Sequence, residues 1–416
     1  MHCGLDFGTS NSTLGTAGLD GVPRLLPVED GRPTIPSAIF FDFETDEPRF
    51  GRRALTEYIS GSDGRLMRAL KSILGTQLIE ESVRIKKRVL PFMDVLGLFV
   101  GELKRRGEVA AGSPFDQVTV GRPVHFVDDD AAADALAQRQ LESTVRAQGF
   151  KHIEFQFEPI AAALDYERQV GGEELGLVVD LGGGTSDFSI VRVSPQRARA
   201  ADRQRDILAT AGVHIGGTDF DRLLSMARVM PELGHESDTR DGKRQLPVGP
   251  YYDLASWHRI NRLYTTKALA ELRSTWREAR HPERVAKLIS IVAHREGHRL
   301  ASSVETAKIA LTADDMATLR FAGAEVTLAL PANRAQLATA LHHSLDRIAA
   351  TIGSTLAMAG LVASQIETVI LTGGSTQIPA IMSRLRNLFP DARFVETDAF
   401  GSVGLGLALD ARRKFG

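Results

Sequence analysis

Short apolar runs alternate with amphipathic stripes along this chain, and the alternation predicts strands and helices in turn, an α/β arrangement with sheets covered by helices. Two of the runs share a plan. Gly4-Leu5 leads to Asp6 and Val178-Val179 leads to Asp180; each then turns on small residues and re-enters an apolar run, at Thr13-Leu14 and at Phe188 to Val191. Both read as strand–turn–strand units. Helical patterns cover 52–60, 64–74 and 95–106, and 116–120 reads as a strand. Ala133, Ala137, Leu141 and Val145 recur every fourth residue, which is the stripe of an amphipathic helix. A strand at 154–157 is followed by a helix at 160–168, opened by Pro159 where a missing N–H is harmless. A Gly-Gly turn at Gly216-Gly217 precedes a helix at 219–229.

The stretch 235–303 is rich in Arg, His and Trp and poor in strand signals. Val285, Leu288, Ile289 and Val292 still make a helical stripe, so it reads as an ordered helical insertion whose flexible part is the loop 236–252. A long helix carries Leu337, Leu341, Leu345, Ile348, Ile352 and Leu356. A strand at 368–371 then leads through Gly373-Gly374-Ser375 into a helix striped by Ile378, Ile381, Leu385 and Leu388.

Composition narrows the function classes. With 416 residues there is room for two domains with sizeable cores. A net charge of −2 gives no reason to expect a nucleic-acid or membrane-surface partner. The one cysteine, Cys3, excludes an intrachain disulfide and suits a reducing compartment. Asp6 stands where a signal peptide would need its apolar core, and the apolar run 89–100 is broken by Asp94, so a cytoplasmic location is expected.

The chemistry gathers at the glycine turns. An aspartate at a strand end supplies a hard oxygen for hydrated Mg²⁺, and glycines let backbone N–H groups approach phosphate oxygens. The turn at Gly373-Gly374-Ser375 suits the wall of a nucleotide cleft. The chain has no G-x-x-x-x-G-K-[ST] and no complete G-x-G-x-x-G after a strand, which sets aside the P-loop and Rossmann sites. His294 and His298 are four apart, but Glu296 between them is misplaced for a zinc-protease helix. His342 and His343 read as a core-edge and a solvated histidine. Trp257 and Trp276, with the arginines between them, read as structure or as a protein-partner surface.

Five segments, in order, carry a resemblance: Asp6-Phe-Gly-Thr-Ser-Asn11, Glu158-Pro-Ile-Ala-Ala-Ala-Leu164, Asp180-Leu-Gly-Gly-Gly-Thr-Ser-Asp187, Ile215-Gly-Gly-Thr-Asp-Phe-Asp221 and Leu371-Thr-Gly-Gly-Ser-Thr376. Together they resemble the nucleotide-binding domain of Hsp70 (DnaK-type) chaperones, and among these the YegD-like branch with its large helical insertion. The resemblance implies the actin-like ATPase fold, two lobes each built on a ribonuclease-H-like mixed sheet. Lobe I would be 1–169, with 393–416 returning to it. Lobe II would be 170–392, its outer subdomain holding a helical insertion at about 222–333.

The resemblance also implies roles for single residues. Asp6 and Asp180 would hold the water shell of Mg²⁺. Gly8, Thr9, Ser10 and Asn11 would cradle the phosphates of ATP or ADP from one lobe, with Gly182, Gly183, Gly184 and Thr185 facing them from the other. Lys71 would meet the γ-phosphate, while Glu158 and Asp187, with Thr185, would serve the attacking water. Gly216 and Gly217 would close over the phosphates. Glu305, Lys308, Thr312, Gly373, Gly374, Ser375 and Asp398 would complete the adenosine pocket. Gln377 and Ile309 stand where relatives carry an arginine at the adenine.

The expected function is a Mg-dependent, slow ATPase of the chaperone family that switches lobe closure. It is expected to be a monomer without a peptide-binding domain, with a protein partner at the insertion and neither nucleic acid nor membrane as ligand. A sugar or metabolite kinase and a polymerising actin-like protein share the implied fold and are the alternatives.

Overall fold

A computed structural model describes every residue except 19, 128–129, 168–169, 201 and 397–400, and of those every side chain except at 165 and 396. Two mixed sheets dominate, and they have the same plan. In the first, the strand order is His152–Phe157, Gln117–Arg122, His2–Phe7, Asn11–Ala17 and Pro23–Leu25, with Thr34–Pro36 also pairing to Asn11–Ala17. In the second it is Arg393–Glu396, Thr368–Thr372, Glu174–Leu181, Ser186–Val193 and Ile207–Val213. Each central strand has an antiparallel hairpin partner on one side and a parallel strand on the other. The repeated hydrophobic-run–Asp–turn pattern is therefore the sequence trace of a repeated sheet.

Two helices join the sheets. Glu158–Glu167 and Ser402–Phe415 cross so closely that a Cβ on Gly406 would lie 1.8 Å from the Ala161 carbonyl oxygen. Ser402–Phe415 also lies on the first sheet, where a Cβ on Gly4 would come within 2.3 Å of the Ala408 nitrogen. On its other side, Val403 and Leu407 share a buried cluster with Ile160, Val178, Val191 and Ile370, drawn from the helix partner and the second sheet. No bulkier backbone could be packed this tightly, so the crossing is fixed by glycine and alanine.

The expected long helix is Arg334–Met358, and its leucine and isoleucine stripe is buried as the spacing requires. The helix expected at 64–74 is different. Gly64–Arg68 is a strand paired to Ala38–Asp42, followed by a short turn of 3₁₀ helix at Leu70–Ile73. Gly64 packs against Phe40, where a Cβ would be 2.2 Å from the ring, and Ala69 at φ +55° ends any continuous helix. A hairpin of Met316–Ala322 and Thr327–Asn333 also forms, with alternating exposure that the surrounding helical stripes obscured.

The insertion is helical, at Gly249–Ala255, Thr266–Glu278, Pro282–Ala293 and the start of Gly297–Ala313. The loop expected to be flexible at 236–252 carries bridges Asp238 to Gln245 and Thr239 to Ala279, and its end is already helix. His342 and His343 are both exposed, so neither sits at the core edge. Among the described residues no helix is long and apolar enough to cross a membrane.

Candidate functional site

Asp6 and Asp180 occupy equivalent places, near the ends of the two central strands. Asp6 pairs across its hairpin with Thr13, and Asp180 with Asp187. The two carboxylates meet Lys71 and Glu158 in one crease. Lys71 is in the turn Leu70–Ile73, only 8% exposed, and the left-handed Ala69 just before that turn sets its approach at a backbone cost of order 1 kcal/mol. Its ammonium donates to the Glu158 carboxylate, which opens the helix after the strand His152–Phe157.

Charge is unevenly matched here. Burial pushes Asp6 up to about 7, with Glu158 adding to the rise and Lys71 opposing it. Asp180 is pushed up to about 8 by burial first, then by Asp187, Glu158 and Asp6. Burial would lower Lys71, yet Glu158, Asp6 and Asp180 together hold it above its ordinary value. Three carboxylates thus surround one ammonium, with Asp187 against Asp180 beyond them, and the excess negative charge suits a further cation. Among the described residues no three His, Cys, Asp or Glu side chains close into a metal cage.

Above the carboxylates, three glycine turns press together. A Cβ on Gly183 would lie 2.2 Å from Ser10 Oγ, and one on Gly216 would lie 2.5 Å from the Gly184 nitrogen. Gly217 N donates to Gly182 O at 3.0 Å and Thr218 N to Gly183 O at 2.8 Å, which locks the second turn to the start of the helix Gly217–Arg228. The first turn, with Gly8, Thr9 and Asn11, is held by Ser37, whose N–H donates to Ser10 O at 2.9 Å and whose hydroxyl donates to Gly8 O at 2.6 Å. Thr185 and Asp187 are exposed and bonded to each other, Oγ1 to Oδ2 at 3.1 Å. A cavity of about 70 Å³ lies beside them, lined by Glu158, Asp180, Asp187, His125 and Gly212.

The residues expected at the adenosine separate into two groups. Lys308 is buried, donates to Gly217 O at 3.1 Å and pairs with Asp221 at 2.8 Å. Ser375 reaches Gly182 O at 3.4 Å, and Gly373 at φ +84° would clash with Leu181 O if it carried a Cβ. Gly374 begins the turn Gly374–Gln377 beside them. These join the phosphate loops. Glu305 is exposed one turn before Lys308, and the Thr312 hydroxyl is spent on Ile309 O at 2.7 Å within its own helix. Asp398 lies outside the described residues.

Three participants were not singled out from sequence. Asp221 holds Lys308 and is pushed up to about 6 by burial, with Lys308 opposing and Glu305 adding; its place at the end of the Ile215–Asp221 motif was the available signal. Ser37 carried none. Tyr58 bridges the mouth of the crease, its hydroxyl 3.2 Å from Asn261 Oδ1 and 3.4 Å from His298 Nε2, while Arg68 stacks 4.9 Å from the Trp257 ring centre.

Comparison with known proteins follows the same residues. The profile of the family described as Hsp70 protein matches 2–244 and 289–412 and leaves 245–288 unmatched. The Chaperone protein DnaK of Thermosipho melanesiensis is 26% identical over 411 residues, 98% of this chain and 58% of its own length. The Chaperone protein HscA homolog of Ralstonia pickettii is 24% identical over 431 residues, covering 99% of this chain and 58% of that protein. The Chaperone protein DnaK of Thermotoga neapolitana is 30% identical over 246 residues, 58% of this chain and 38% of its own length. The chain therefore spans little more than half the length of these relatives.

Proposed function

The chain belongs to the Hsp70 family, and from that premise we propose that it binds ATP or ADP with Mg²⁺ and hydrolyses ATP slowly, closing two lobes on the nucleotide. The observation that carries this reading is the Lys71–Glu158 pair set between Asp6 and Asp180 beneath apposed glycine turns. Phosphoryl transfer to water asks a protein mainly for placement and charge neutralisation, and this crease offers both.

Asp6 and Asp180 are the residues that would hold Mg²⁺ through its waters. Bound there, the ion neutralises phosphate charge and orients the nucleotide's tail. Thr9, Ser10, Gly183 and Gly184 hold the phosphates between the turns. Lys71, kept protonated by its carboxylate neighbours, reaches the γ-phosphate when Glu158 shares it. Glu158 and Asp187 line the small cavity beside the metal carboxylates, and a water there is within their reach. Lys308, fixed by Asp221, holds the nucleoside side, with Gly373 and Ser375 forming the facing wall and Glu305, Thr312 and Asp398 at its rim.

The repeated sheet plan supports lobes at 1–169 and 170–392; of 393–416, expected to return to the first lobe, the strand Arg393–Glu396 stays in the second sheet and the helix Ser402–Phe415 lies on the first. The unmatched helical segment supports the YegD-like branch and a partner site of its own. The same reading takes the protein to be a cytoplasmic monomer. The test is phosphate release from ATP by the purified chain with Mg²⁺ and with EDTA. Metal-dependent turnover abolished by Asp180→Asn is expected; absence of ATP binding in the wild type overturns the reading.

A further inference from the structure

The segment outside the family profile builds a groove of its own. Thr266–Glu278 and Pro282–Ala293 are joined by a short turn and pack side by side, Leu272 on one and Val285, Leu288 and Ile291 on the other being buried. Between them lies an open groove of about 520 Å³. Arg273, Trp276 and Arg277 form one wall, and Ile289 and His294 line the other. Three of these five residues lie within 245–288, so the groove is an addition to the family's core.

Its chemistry is unbalanced in two ways. The indole of Trp276 is 41% exposed, a large apolar surface left in water beside Ile289. Charge on the same helix is otherwise matched, Lys267 facing Glu271 and Glu278 facing Arg244, but Arg273 and Arg277 have no ion-pair partner among the described residues. A carboxylate, Glu325, also lines the groove, where it accepts the Ser290 hydroxyl at 2.9 Å, and the two arginines outnumber it. His294 points Nδ1 at Ser290 O, 2.9 Å away, and adds no negative charge.

We propose that this groove docks an acidic amphipathic helix of a partner protein. Arg273 and Arg277 are one turn apart, so their guanidinium groups match two carboxylates spaced i and i+4 on a partner helix. The apolar residue between those carboxylates would cover Trp276 and Ile289, and a trough between two helices accepts the ridge of a third. A lone phosphate would use the arginines and leave the indole bare. The site is separate from the crease that holds Asp6 and Asp180, and it stands whether or not the chain hydrolyses ATP.

The experiment uses the full chain and a fluorescein-labelled, helix-forming peptide of about 16 residues with a leucine stripe flanked by glutamates at i and i+4. Anisotropy should show a Kd in the range of about 10 μM, weakening as salt rises. Arg273→Glu with Arg277→Glu should weaken it at least about ten-fold and should bind the peptide's lysine counterpart better than the wild type does. Trp276→Phe should abolish the change in intrinsic fluorescence on binding. An unchanged circular dichroism melt shows that the variants fold. Equal binding by wild type and the double variant overturns the proposal, as does no binding up to about 1 mM. Quenching of Trp276 by phenyl phosphate but not by the peptide would make this a small-anion site and likewise overturn it.

Discussion

Gly183 and Ser10 meet across the crease so closely that a Cβ on the glycine would stand 2.2 Å from the serine hydroxyl and 3.1 Å from its Cβ. The two phosphate turns thus belong to different sheets yet are within contact, and a Cβ at position 183 would require Ser10 to give way. Gly183→Ala should force them apart and lower ATP affinity about ten-fold or more, with little change in the melting temperature because both turns are at the surface of their sheets. Ser10→Ala removes a phosphate contact together with the clashing oxygen, so in that background Gly183→Ala should cost less affinity than it does in the wild type. Calorimetric titration of the wild type, both single variants and the double variant checks this; an equal cost in both backgrounds would assign the loss to something other than the clash.

Crowding of carboxylates gives Asp180 two opposite effects. Its folded-state pKa of about 8 lies above the ordinary 3.8, so without ligand the stabilisation it contributes is full only below about pH 3.8 and is lost as pH rises from there towards 8. Asp180→Asn should therefore raise the melting temperature of the ligand-free protein near neutral pH, by about 2 °C or more. It should at the same time weaken Mg-dependent ATP binding and slow hydrolysis at least about ten-fold, or about 1.4 kcal/mol of barrier. A variant that loses stability and keeps full turnover would remove Asp180 from the metal site.

Among the described residues, Lys71 is the cation that Glu158, Asp6 and Asp180 share. Lys71→Ala leaves the Glu158 carboxylate without its partner and the γ-phosphate position without its ammonium. Hydrolysis in single turnover should fall by about 100-fold or more, while ATP affinity changes by less than about five-fold, because Lys308 and the glycine turns persist. Loss of ATP and ADP affinity in parallel, with a normal single-turnover rate, would instead show that Lys71 shapes the cleft.

Much of this was legible because the sheet plan repeats. A strand ending in aspartate and turning on glycine is a local signal, and it appears once per sheet, at Asp6 and Asp180. Helices with clean stripes, such as Arg334–Met358, were equally readable. The misreadings have tertiary causes. Gly64–Arg68 is a strand because Ala38–Asp42 offers it a pairing edge, and no local period reports a partner that far away. Ser37 fixes the first phosphate turn from 29 positions beyond Gly8, a contact without any motif. Lys71 was placed by resemblance, but its left-handed neighbour Ala69 and its pairing with Glu158 belong to the fold alone.

The outer bridge supplies a pH test. His298 is 5% exposed, ringed by Tyr58, Trp257 and Tyr264, with Nε2 3.4 Å from the Tyr58 hydroxyl and 3.2 Å from the Trp257 carbonyl oxygen. Burial lowers its pKa from 6.5 to about 4; the Trp257 carbonyl opposes the shift and the charge of Arg68 adds to it. The depressed value means the folded state refuses a proton that the unfolded chain takes. The stabilisation is therefore full above about pH 6.5 and is lost as pH falls towards 4. Between pH 7 and pH 5 the loss from this one group should be about 2 kcal/mol. Urea midpoints for wild type and His298→Gln at the two pH values isolate it, since other titrating groups cancel in the difference. Tyr58 comes from the helix Gly51–Ile59 and Arg68 from the strand beyond it, so the same protonation would loosen the bridge over the crease. ATP release should accordingly be faster at pH 5 than at pH 7 in the wild type, and the acceleration should be smaller in His298→Gln, where only site carboxylates such as Asp6 and Asp221 still titrate over that range. A wild-type and variant pair with identical pH dependence in both measurements would show that His298 is neither neutral nor part of the closure.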